Sequence, residues 1–243
     1  MKKTFTTCLL SLFFITLISS TGFTESAKDI LDKMIEANGG RKALEKIEDS
    51  TLSGSIEMTQ MGMSGTMTMY NKEPNMMRWD IEIMGMVITQ AYDGETAWWI
   101  NPQTGSVEDL PEQQAEDFKR QSLGNDALLH PEKYGITYTL KEKETIEGKD
   151  YFVLEQTYTD GFKAMMWVDP ETYLPHKTKA KSYNQMGAEV ESEVFLSDYK
   201  KVEGMPVPHS IIIFQDGEEF LSLSVTEVKY NSNLEDSFFK KSE

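Results

Sequence analysis

Hydrophobic and polar positions change period twice along the chain. An unbroken apolar or hydroxylic run from Cys8 to Ile18 follows Met1-Lys2-Lys3 and ends at Ser20-Thr21-Gly22. Positive, apolar and small residues in that order form an export signal, so residues 1–22 are expected to be removed and the mature chain to begin near Phe23. A retained anchor is the competing reading, because Thr4 to Thr24 carries no charge and is just long enough to span a bilayer. Ala27, Ile30, Leu31, Met34 and Ile35 then recur at helical spacing, with Ser26 to cap the start and Asn38-Gly39-Gly40 to stop it. A second short helix is predicted from Arg41 to about Ile47. Both are amphipathic, so each is expected to cover apolar surface.

From Thr51 the period becomes two. Leu52, Gly54, Ile56 and Met58 alternate with polar residues, as do Gly65, Met67 and Met69, and then Met77, Trp79, Ile81 and Ile83. These read as consecutive antiparallel strands with one wet face. Asp93-Gly94 and Pro102-Gln103-Thr104-Gly105 flank a strand holding Trp98 and Trp99. A polar segment from Pro111 to about Ser122 interrupts the alternation and is long enough to lie across a sheet. Strands resume at Ile136–Leu140, Tyr151–Tyr158, Phe162–Val168, Leu174–Tyr183, Val190–Tyr199, His209–Gln215 and Phe220–Tyr230, divided by turn dipeptides such as Asp160-Gly161 and Asp216-Gly217. About a dozen strands at roughly ten-residue spacing make a mainly β (α+β) antiparallel meander, with residues 23–243 expected to form one domain. Accumulated twist curls so large a sheet into a half-barrel with an interior wider than its own side chains readily fill. The helices are available to close it.

Composition narrows the function. With 24 basic against 40 acidic residues and a net charge of -16, the basic side chains are too few and too scattered to form a phosphate-binding face, so nucleic acid is not an expected partner. Cys8, the one cysteine, lies in the signal, and export would leave a chain without disulfides, cysteine nucleophiles or thiolate metal sites. His130, His176 and His209 are far apart and each adjoins a proline, and no zinc-ligand spacing occurs among them. Ser197–Lys200 and Ser237–Lys240 match Ser-x-x-Lys, and Ser182-Tyr183-Asn184 resembles a companion motif, but their order is wrong and no Lys-Thr-Gly follows. They read as chance matches on polar strand faces. No catalytic residue, cofactor or metal is expected.

Methionine is the unusual feature. Nine of the 15 lie between Met58 and Met86, including Met61/Met63, Met67/Met69 and Met84/Met86. Thioethers suit Cu(I) in a thiol-free exported chain, which makes a periplasmic Cu(I)-binding protein using residues 58–86 one reading. Met also lines apolar surfaces that fit varied partners. Residues two apart share a strand face, so Met67 and Met69 continue the apolar face of Gly65, which favours the apolar wall.

Four segments carry a family resemblance: Ile30-Leu31-Asp32-Lys33 with Asn38 to Leu44; Tyr92-Asp93-Gly94-Glu95-Thr96-Ala97-Trp98-Trp99-Ile100-Asn101-Pro102; Trp167-Val168-Asp169-Pro170-Glu171-Thr172-Tyr173-Leu174-Pro175; and Ser197 to Pro208. Over nearly all of the mature chain it resembles the outer-membrane lipoprotein-sorting proteins related to LolA and LolB. The resemblance implies an incomplete antiparallel barrel with helices as a lid over an apolar cavity that receives acyl chains in the periplasm. The expected function is then a non-enzymatic, monomeric carrier or acceptor of lipoprotein acyl chains or lipids for outer-membrane sorting, working with an inner- or outer-membrane delivery partner. A chain of roughly sixteen carbons needs on the order of 12 kcal/mol of burial to leave a bilayer. Met67, Met69, Trp79, Ile81, Ile83, Met86 and Ile88 are the expected cavity lining, and Ile30, Leu31, Met34 and Ile35 the expected lid face. A structural β-rich interaction module, its cavity filled by its own side chains, is the third reading.

Overall fold

Ser26 opens the first helix, α1 (Ala27–Ala37), by accepting from the Asp29 amide while the Asp29 carboxylate accepts from the Ser26 amide. The computed structural model describes residues 25–184 and 186–241; the expected signal, residues 1–22 with Cys8, lies outside the described residues. Gly39 and Gly40, at φ 102° and 86°, end α1 with a backbone that side chains rarely adopt. The next helix, α2, is shorter than expected and spans Arg41–Leu44 only.

Fourteen strands follow in one antiparallel sheet. β1 (Asp49–Met58), β2 (Met63–Lys72), β3 (Met76–Ile83), β4 (Met86–Tyr92), β5 (Ala97–Ile100) and β6 (Val107–Asp109) form a first meander. The polar segment is the helix α3 (Glu112–Gln121), followed by a short helix, α4 (Asn125–Leu129), which periodicity did not predict. A second meander comprises β7 (Thr137–Leu140), β8 (Glu144–Ile146), β9 (Lys149–Thr157), β10 (Lys163–Val168), β11 (Pro175–Tyr183), β12 (Glu189–Val202), β13 (Met205–Gln215) and β14 (Glu218–Tyr230). β14 pairs with β1 and so joins the two meanders, giving the order β6-β5-β4-β3-β2-β1-β14-β13-β12-β11-β10-β9-β7, with β8 beside β9. The outermost strands, β6 and β7, are not paired with each other, so the barrel is incomplete.

β13 begins earlier than predicted, and Pro206 and Pro208 lie inside it. Both pair with β12, whereas pairing to β14 starts only at Ser210, so these prolines sit where the strand has a single neighbour. Ser237 lies in a 3-10 turn (Asp236–Phe238), not on a strand face.

Register shifts at Ser53/Gly54, Trp167/Val168 and Ile213/Phe214 bend the sheet. At Gly54 a Cβ would stand 2.3 Å from the Ser224 carbonyl oxygen, and at Gly65 it would stand 2.0 Å from that of Glu82. Glycine is what allows neighbouring backbones to close up there. The result is a strongly curled sheet, as α3 demonstrates: it touches β4, β5 and β11, although β3, β2, β1, β14, β13 and β12 lie between β4 and β11 in the strand order.

The main core lies on the concave face, where Ile56, Met58, Met67, Ile83, Leu221, Leu223 and Val225 are buried together. One end of the curl is closed by Ile35, Leu44, Ile47, Leu129 and Met205, contributed by α1, α2, α4 and the start of β13. The C-terminal turn packs on the opposite, convex face. Trp98 Nε1 donates to the Phe239 carbonyl (2.8 Å) and Arg78 Nη1 to that of Phe238 (3.0 Å), leaving Phe239 fully buried.

Candidate functional site: the concave apolar face

Strict alternation in β1 to β4 turns one set of side chains inward. In register across these strands lie Leu52, Met69, Trp79 and Gln90, then Gly54, Met67, Ile81 and Ile88, then Ile56, Gly65, Ile83 and Met86. Across β14 the same face continues through Leu223 and Leu221 to Ile211 and Ile213 of β13 and then to Leu196 and Val194 of β12. Expectation had stopped at β4. Three consecutive isoleucines, Ile211 to Ile213, leave the sequence of the predicted strand silent on which of them share that face.

The expected lining residues do not share one environment. Met67 and Ile83 are buried in the main core; Met69, Trp79 and Ile81 are half-buried against it. Ile88 is half-buried, while Met86 is 55% exposed at the β3–β4 hairpin tip, beside Met84 at 80%. The other methionines disperse similarly: Met77 belongs to a second cluster, and Met61 is exposed on the β1–β2 tip. Two concavities lie off this face. One of about 400 Å³ is bordered by Leu44, Ile47, Glu73, Pro74 and Leu129, and one of about 210 Å³ lies over Thr66, Thr68, Arg78 and Asp80 on the convex side.

Two helices lie against the concave face and are held differently. α1 buries Ile30 and Met34 against Phe152, Leu154 and Val168, with Leu31 half-buried beside them, and sends Ile35 into the end cluster. α3 is polar apart from Ala115 and Phe118; Phe118, its one buried residue, joins Met77, Tyr92, Ala97 and Leu110 and lies 5.1 Å from the Trp79 ring. Its other side is fastened by polar contacts to the far limb of the curl. Gln114 donates to the Asn184 carbonyl (2.6 Å), Asp117 accepts from the Tyr183 amide (2.8 Å), and Arg120 pairs with Asp160 (2.6 Å) while lying over the Phe162 ring. The Arg120 guanidinium holds the Asp160 carboxyl below its usual range, whereas burial pushes Asp117 above it. Thus α3 spans the opening like a strap, with one aromatic anchor on the near limb and three polar anchors on the far one.

The arrangement offers an apolar face, buried at its centre and half-buried at Met69, Trp79, Ile81, Ile211 and Ile213, with little ionic chemistry on it. Its distinctive polar atom is Trp79 Nε1, the one buried side-chain nitrogen or oxygen among the described residues without a hydrogen-bond partner.

The sequence model of a family described as "Uncharacterized protein" matches residues 82–243. The chain belongs to that family. Its fold is that of the LolA superfamily. A LolA superfamily protein from Nitrosomonas europaea superposes with a TM-score of 0.61 at 19% identity, covering 90% of this chain and 99% of the other. A domain described as belonging to an outer membrane lipoprotein-sorting protein, from Vibrio parahaemolyticus, gives 0.56 at 18% identity over 86% and 97%. A DUF1329 family protein from Desulfovibrio piger gives 0.58 at 18% identity over 89% and 98%. Comparison with curated proteins yields no match.

Proposed function

We propose that this family member is a non-enzymatic periplasmic carrier or acceptor of acyl chains, taking up lipid or the lipid moiety of lipoproteins for delivery to the outer membrane. The observation that supports this reading is the apolar concave face running from β4 through β12, on which Met69, Trp79, Ile81, Ile211 and Ile213 are only partly buried around the core. Each methylene moved there from water is worth about 0.8 kcal/mol, so an acyl chain can be held on such a face without any specific bond. Met69, Met67 and their neighbours adapt in shape to chains of different length. The LolA-like fold of the neighbours supports the same reading, as does an acidic surface that discourages lingering on anionic lipid. In this scheme α1, with Ile30, Leu31, Met34 and Ile35, walls one limb of the groove, and α3 is the part that lifts. The Cu(I) reading gains nothing from the geometry, since the clustered methionines divide between the core and two exposed tips.

Native mass spectrometry of the protein purified from a periplasmic extract tests the proposal, together with uptake of a fluorescent fatty-acyl probe by the delipidated protein. Bound lipid and saturable uptake, blocked by Ile81→Asp in a folded variant, are expected. A bare protein that also ignores the probe would overturn it.

A further inference from the structure

Trp79 stands where the two apolar clusters meet: its ring packs against the main concave core and also against the cluster under α3. Tryptophan is amphipathic, with a large apolar body and one N–H that only donates. When such an N–H is buried it ordinarily finds an acceptor, because sealing it from water without one costs free energy. Here it is buried and has none. The surrounding side chains explain why. Met69, Ile81 and Phe118 offer no strong acceptor, and Gln90, opposite on β4, makes no bond to it. An all-apolar wall would be served as well by Phe at this position.

We propose that Trp79 Nε1 is a recognition donor for the carbonyl oxygen of an acyl ester or amide, so that the groove selects esterified or amidated acyl chains over bare hydrocarbon or ether-linked chains. The inference rests on the acyl-carrier reading and adds the part of the ligand that is read. A buried donor meets such an oxygen only when a neighbour moves, and the neighbour least firmly held is α3, whose Phe118 packs on the indole. Lifting the strap exposes the N–H, and the entering carbonyl satisfies it. The hydrocarbon tail then runs along the apolar rows of β1 to β4, and the carbonyl marks its α3 end.

Two probes of equal chain length test this: 1-monolauroylglycerol, which has an ester carbonyl, and 1-O-dodecylglycerol, its ether analogue, which has none. The wild type is expected to bind the ester about tenfold more tightly, and Trp79→Phe to bind both with the weaker affinity. Because the variant also changes packing, the wild type supplies an independent readout. In its 15N–1H spectrum one of four indole N–H signals should move downfield with the ester and stay in place with the ether. Equal binding of the two probes with no indole shift would overturn the inference while leaving the carrier reading intact. An indole signal already downfield without ligand would overturn it too, by showing that trapped water is the acceptor. If neither probe binds, the carrier reading itself falls.

Discussion

Phe118→Ala removes the one buried side chain of α3 and tests whether this helix is a separable strap. Phe118 is 4% exposed, in a cluster with Met77, Tyr92, Ala97 and Leu110. Truncating a buried Phe costs about 3–5 kcal/mol, and the lower end applies beneath a surface helix where water can replace the ring. What remains is modest. The bonds from Gln114 and to Asp117 contribute about 1 kcal/mol each, and the Arg120–Asp160 pair less than that, since Asp160 is 48% exposed. Phe118 therefore supplies about as much docking energy as the three polar anchors together. A ten-residue helix is marginal alone in water, so losing about 3 kcal/mol should release α3 while the sheet persists.

The magnitude follows: about 3 kcal/mol corresponds to amide exchange in residues 112–121 faster by roughly 100-fold. Hydrogen–deuterium exchange mass spectrometry reads this directly, with peptides from β9 and β10 as internal controls because Val153 and Val168 are fully buried there. Uptake of a fluorescent acyl probe should accelerate in parallel. Protection lost equally in α3, β9 and β10 would mean that α3 is part of one cooperative unit. Unchanged protection in α3 would mean that the polar anchors dominate. Either result refutes the strap.

Gly65→Ala places a Cβ 2.0 Å from the Glu82 carbonyl oxygen and should destabilise the protein by about 3 kcal/mol in chemical denaturation, because β2 and β3 must part; a change near zero would show that the sheet flattens freely. Burial raises the Glu73 carboxyl above its usual range even though the Asn125 and Asp126 amides favour its charged form. A raised carboxyl stabilises the fold below its unfolded value and loses that contribution as pH rises through the folded value, so Glu73's own contribution falls above about pH 4, opposite to that of lowered carboxylates such as Asp126 and Asp160. Glu73→Gln keeps an acceptor for the α4 amides and should gain stability relative to the wild type as pH rises above about 4, read from denaturation midpoints across the range; a difference independent of pH would show that Glu73 does not titrate differently on folding. Graded hydrogen peroxide with peptide mapping should oxidise Met61, Met84, Met86 and Met186, all at least 55% exposed, well before Met34, Met67 and Met77, at 5% or less. Equal rates for Met67 and Met84 would contradict the burial of the concave face.

Most of the strand framework was legible because one wet face forces alternation and each hairpin is punctuated by a turn dipeptide. What escaped is short, or held from afar. β6 and β8 are three residues each, too short to show a period. α4 has five residues, and its first amides are capped by Glu73, 52 positions earlier in sequence. α3 hides its helical character because one aromatic anchor and distant polar partners, not a stripe, hold it in place. On the concave face, alternation set Met67, Met69, Trp79, Ile81, Ile83 and Ile88 on one side of the sheet, as the register does. It does not see where a sheet ends, which is why Met86 obeys the pattern and still stands exposed. The unsatisfied N–H of Trp79 lies beyond any pattern, since it depends on which neighbours lack an acceptor.

The contrast between the two helices gives the groove a direction. α1 has a reciprocal cap at Ser26 and Asp29, and it buries Ile30, Met34 and Ile35 in two separate clusters. Dislodging it exposes three large apolar side chains at roughly 2 kcal/mol each, a cost comparable to much of the stability of an ordinary domain. α3 begins at Pro111 without a side-chain cap and exposes one ring when it lifts. On the carrier proposal, opening is expected on the α3 side, between the β4–β5 limb and the β11 limb of the curl, because α3 has one buried apolar anchor where α1 has three. On the carrier proposal, an acyl chain entering there would replace Phe118 against Met77, Tyr92 and Trp79, so that cargo covers the surface exposed by opening. Under that proposal, exchange of one apolar cover for another would let the protein both bind and release a chain, since its own ring would compete for the site once the chain begins to leave.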